Sequence, residues 1–151
     1  MDFLGDLYDL IFGWLYSLDM ADYLAGVSDT GESTLRYPGL WLTAFVFPLI
    51  VTLLFYKLVD SPKTNRWWIW LLVGIGNSFL VWAWTAWGYF GELNDGLMPT
   101  KGSESAISDI DIWGLASAQW ILAFFFFFVL SLCVKFISTN NCFTPFKFLQ
   151  K

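Results

Sequence analysis

Apolar residues gather along this chain in three long blocks, and the charged residues are swept into the segments between them. The first block runs from about Leu40 to Leu58, "LWLTAFVFPLIVTLLFYKL", with Pro48 in its middle and Lys57 near its end. The second, "WWIWLLVGIGNSFLVWAWTAWGYF" from Trp67 to about Phe90, carries no charge at all. The third, "IWGLASAQWILAFFFFFVLSLCVKFI" from Ile112 to Ile137, holds Lys135 close to its far end. Each is near the roughly 20 residues that a helix needs to cross about 30 Å of hydrocarbon. The pattern predicts an all-α integral membrane protein with three transmembrane helices in a domain covering residues 39–138. Residues 1–38 form an outside-facing amphipathic helix with its linker, and residues 139–151 a short cytoplasmic tail.

The stretch before the first block follows a different rule. In "MDFLGDLYDLIFGWLYSLD", with about 100° of rotation per residue, Asp2, Gly5, Asp6, Asp9, Gly13, Tyr16 and Ser17 fall on one narrow stripe. Phe3, Leu4, Leu7, Leu10, Ile11, Trp14, Leu15 and Leu18 cover the remaining surface. This periodicity predicts an amphipathic helix at the membrane interface, ending around Asp19 before the polar run "GVSDTGES". No basic residue precedes Arg36, which speaks against a secretory signal. Interfacial helices usually meet anionic lipid with Lys or Arg, whereas this one presents acid. Two readings of Asp2, Asp6 and Asp9 stand side by side. They keep one face of a surface helix wet, or they ring the vestibule of a lumen built by several copies, where a ring of carboxylates attracts cations.

Composition sharpens the class: 57% of the residues are hydrophobic and only 14% charged, against about 25% charged in soluble domains. The charges also sort by loop. Asp2, Asp6, Asp9, Asp19, Asp22, Asp29 and Glu32 precede the first block, with Arg36 the only base there. Glu92, Asp95, Glu104, Asp109 and Asp111 lie between the second and third blocks or at their edges, with Lys101 alone against them. Lys57, Lys63 and Arg66, beside the single acid Asp60, occupy the other loop, and Lys135, Lys147 and Lys151 lie at the far end. Basic loops stay cytoplasmic, so three crossings predict an outside N-terminus and a cytoplasmic C-terminus in the inner membrane. Trp67, Trp68 and Trp70 at one end of the second block, and Trp84, Trp87 and Tyr89 at the other, fit interfacial anchors.

Inside the blocks there is no Asp, Glu or Arg, which argues against a proton relay or a coupled transporter. Asn77, near the middle of the second block, needs a partner on another helix, in a neighbouring copy or in pore water. Gly74 and Ser78 beside it, and Gly114 and Ala118 in the third block, have the small-xxx-small spacing that lets helices approach closely. Asp109 and Asp111 read as a cap for the third helix rather than a catalytic pair. With no His, no paired cysteine motif around Cys133 and Cys142, and no GxxxxGK[ST], HExxH or GxSxG motif, neither a metal, a cofactor nor an enzyme is expected.

The expectation is therefore a small homo-oligomeric channel or pore-forming protein in the lipid bilayer. Its layout is analogous to that of compact membrane effectors of bacterial antiviral defence, an analogy of layout alone. Lys57, Lys63, Arg66, Lys135 and Lys147 form a basic rim that suits a cytoplasmic anionic ligand as well as plain positive-inside bias. The alternative is a non-conducting membrane subunit, anchor or immunity protein that works with a partner protein in a larger complex.

Overall fold

A computed structural model describes residues 3–26, 36–59, 66–98 and 107–137, which form helices and no strand. In order these are α1 (Phe3–Phe12), α2 (Leu18–Leu24), α3 (Tyr37–Lys57), α4 (Trp67–Asn94) and α5 (Asp109–Val134), the last closed by a 3-10 turn at Lys135–Ile137. The three long helices are long and apolar enough to cross a membrane. At about 1.5 Å per residue even α3, with 21 residues, reaches roughly 31 Å. Pro48 lies inside α3. Its missing N–H leaves one carbonyl of that helix without its usual backbone partner.

The helix ends follow from local chemistry. At the start of α5, the Asp111 carboxylate accepts from the Ser108 backbone N–H at 2.9 Å and from its hydroxyl at 2.7 Å, so Asp111 caps its own helix. At the end of α4, Gly96 takes a left-handed φ of 71° and Leu97 N–H returns to the Glu92 carbonyl at 3.0 Å. Only a residue without a Cβ adopts that turn without strain.

One boundary differs from the periodicity. The amphipathic pattern runs unbroken to Asp19, yet α1 stops at Phe12 and Asp19 belongs to the first turn of α2. Ser17 is the cause. Its backbone N–H goes to Asp111 at 2.8 Å, and its Oγ accepts from Met20 N–H at 3.3 Å, capping α2. A serine that offers backbone groups such alternatives ends a helix more easily than it continues one.

The chain divides into two compact units: residues 1–42 with 82–119, and residues 43–81 with 120–151. Each of the three long helices contributes residues to both. By sequence the first holds twelve acids and two bases, the second one acid and six bases, formal charges of −10 and +5 that sum to the chain's −5. They are called the acidic and the basic unit below.

In the acidic unit, the buried Tyr8 ring lies 5.8 Å from the Tyr37 ring and meets Trp41 edge-on at 5.9 Å. Gly5 makes this approach possible, since a Cβ there would stand 2.9 Å from the Tyr37 ring. Gly114 on α5 does the same for the α1–α2 connection, where a Cβ would overlap the Leu15 carbonyl. In the basic unit the core is Phe55, Tyr56, Trp70 and Phe127. Gly74 takes the Phe127 ring against its backbone, where a Cβ would stand 2.8 Å from that ring.

Candidate functional site

The densest polar cluster lies in the acidic unit around the half-buried Asp9. Tyr16 donates to its Oδ1 at 2.6 Å, and the Tyr37 hydroxyl lies 2.7 Å from Oδ1 and 2.6 Å from Oδ2. Hydroxyl donors at such distances form charge-assisted bonds, roughly twice as strong as neutral ones. Burial, and after it the hydrogen bond to Asp9, pushes the Tyr16 phenol well above its ordinary value of 10.0, so it remains a donor. Behind them Tyr8 is fully buried and accepts from Gln119 Nε2 at 3.0 Å, while Gln119 Oε1 has no partner among the described residues.

A second cluster joins α2, α3 and α4. Tyr23 donates to Glu92 Oε2 at 2.8 Å, the Arg36 Nε lies 3.6 Å from the same oxygen, and the Arg36 guanidinium sits 4.0 Å from the Tyr23 ring centroid. Burial, then the bond to Glu92, raises the Tyr23 phenol as well. These groups are engaged with one another, and they hold helices together. Among the described residues no group of His, Cys, Asp and Glu could hold a metal ion.

The acids of the opening stretch do not share one environment. Asp2 lies outside the described residues, Asp6 is exposed, and Asp9 is turned inward on the face that also buries Gly5, Tyr8 and Phe12. Beside Asp6, the exposed side of the segment carries Phe3, Leu10, Trp14 and Leu18 at 76%, 82%, 76% and 84% exposure. Sequence periodicity identifies which residues share the stripe; it cannot say that the stripe would meet two tyrosine hydroxyls rather than water.

Of the helix-packing residues, Gly74, Ser78, Gly114 and Ala118 are packed within the chain. Gly74 receives Phe127. Ser78 is buried and returns its hydroxyl to the Gly74 carbonyl at 2.9 Å. Gly114 lies against Leu15, and Ala118 is buried. Asn77 is 2% exposed, and neither its amide nitrogen nor its oxygen has a hydrogen-bond partner among the described residues. Thr52, Thr85, Gln119 and Ser131 are buried too, Ser131 accepting from Trp70 Nε1 at 3.0 Å. What the long helices expose is Leu42, Phe45, Ile50, Leu72, Phe79, Leu80, Ile121, Phe125 and their like.

Of the basic residues, Lys57 and Arg66 are exposed and Lys135 is half-buried with Nζ 5.2 Å from the Phe136 ring centroid. Lys63 and Lys147 lie outside the described residues. Of the tyrosines around Asp9, Tyr16 shares its stripe in the sequence, whereas nothing in the pattern links Tyr8 or Tyr37 to that carboxylate. Comparison with protein-family models, curated proteins and solved structures finds no match to the chain.

Proposed function

We propose that this is a multi-pass membrane protein that works as a non-conducting subunit or anchor within a larger complex, its N-terminus outside and its C-terminus cytoplasmic. One observation carries this reading: along the long helices Thr52, Asn77, Ser78, Thr85, Gln119 and Ser131 are buried, while the large side chains exposed between the helix ends are apolar. A water-filled path enclosed by several copies needs a polar lining on the outward faces of the helices. The outward faces here suit lipid and the apolar helices of a partner. The placing of six of the eight bases from the end of α3 to the start of α4 and after α5 supports the orientation by the positive-inside rule.

Planar-bilayer recording of the purified protein, with its oligomer size measured in parallel, tests this directly. No current above that of the empty bilayer is expected at any oligomer size found. Stepwise cation currents that fall when Asp6 is changed to Asn would overturn the reading in favour of a homo-oligomeric channel. With Cys133 and Cys142 replaced, a cysteine at Asp22 should react with an impermeant thiol reagent in intact cells and one at Arg66 should not.

A further inference from the structure

We infer that the outward face of α1 and the start of α2, formed by Phe3, Leu10, Trp14 and Leu18, is a contact surface for lipid acyl chains, with the segment held polar face inward on the protein. The inference rests on the membrane reading and adds a fourth, non-spanning element to the lipid-facing surface. An amphipathic helix that floats on a bilayer turns its apolar side down and leaves its polar side to water. Here the polar side is occupied by protein: Asp9 binds Tyr16 and Tyr37, and Tyr8 binds Gln119. Beside the exposed Asp6 carboxylate, polar groups of this side are paired within the chain. The Trp14 indole N–H donates to the Ile11 carbonyl at 2.9 Å, and the Leu4 carbonyl accepts from Trp41 Nε1 at 3.0 Å.

That last bond ties α1 to the first turns of α3, a helix long and apolar enough to cross a membrane, on which Leu42 and Phe45 are exposed. That attachment selects the occupant, since one apolar medium then covers both surfaces. Asp6 sets the depth. Its exposed carboxylate, one turn from Phe3 and from Leu10, remains among the headgroups, so Leu10 and Leu18 lie just beneath them.

Spin labels placed on single cysteines at Leu10, Leu18, Asp22 and Phe125, in a chain with Cys133 and Cys142 changed to Ser, test this in phosphatidylcholine and phosphatidylglycerol nanodiscs. All four positions are exposed, so the labels disturb no core packing. Collisional relaxation by molecular oxygen reports lipid, and relaxation by a neutral nickel chelate reports water. The expected result is several-fold higher oxygen and several-fold lower nickel accessibility at Leu10 and Leu18 than at Asp22, matching Phe125. Nickel accessibility at Leu10 equal to that at Asp22 would place the face in water and overturn the inference. Protection of Leu10 from both reagents would place it against a second copy or another protein, and would overturn it equally. A label at Phe125 that reads water would instead remove the membrane reading on which the inference rests.

Discussion

The acidic unit and the basic unit are built from the same three long helices, yet different forces hold them. The acidic unit joins its elements through oriented polar bonds: Asp9 to Tyr16 and Tyr37, Asp111 to Ser17, Glu92 to Tyr23 and Arg36. The basic unit relies on rings and a glycine. Trp70 lies 5.4 Å from Phe127 and meets Phe128 at 6.1 Å, with the Trp70 to Ser131 bond as its polar tie. The contrast shows where directional bonds are available. Close van der Waals packing around Gly74 holds the basic unit's helices. In the acidic unit, tyrosines with an apolar body and a polar tip both pack and bond.

The largest effect expected from breaking this contrast is at Gly114. A Val there would overlap a backbone carbonyl that cannot swing away, so Gly114→Val should cost more than about 3 kcal/mol and undock the α1–α2 connection. Gly74→Val in the basic unit meets the Phe127 ring, a side chain that can shift, and should cost about 1 to 3 kcal/mol. Thermal unfolding of both variants in detergent would show the order, and equal losses would remove the distinction drawn between the units.

Next comes the carboxylate. Asp9→Leu leaves Tyr16 and Tyr37 without their acceptor and should destabilise docking of α1 by about 2 to 4 kcal/mol, read as faster hydrogen exchange over residues 3–12. Alkali should act on the same cluster. The Tyr16 phenol is raised in the folded chain, so the stability it contributes is full below its ordinary value of 10.0 and is lost as pH climbs above that. Tyrosinate absorbance should therefore appear together with undocking of α1 above about pH 10, and a titration that leaves α1 docked would contradict this.

The smallest effect sharpens the comparison. Asn77 is buried with both amide groups unpartnered, so Asn77→Leu should be neutral or stabilise by up to about 2 kcal/mol. A loss of that size would mean that the amide has found a partner, such as a bound water.

These expectations also mark what could be read from residues alone. The three long helices were legible because apolar runs of that length suit a membrane-crossing helix, and a cap at Asp109 and Asp111 because both acids precede the third block, though Asp111 is the one that bonds Ser108. The end of α1 was not, since the Ser17 N–H is claimed by Asp111, 94 positions away. Nor was the fate of Gly74, Gly114 and Asn77. Small-xxx-small spacing says that something approaches closely, and only the fold says whether that is another chain or, as here, Phe127 and Leu15.

The bond between Gln119 and Tyr8 closes a separation of 111 residues, and that distance is also an interval of time. At about 5 to 20 residues per second, roughly 6 to 22 seconds pass between synthesis of Tyr8 and of its partner. During that wait Asp9 has Tyr16 to bind, and Tyr37 and the Gly114 seat arrive later. Full docking of α1 is thus a late step of biogenesis, since the third long helix brings both Gln119 and Gly114.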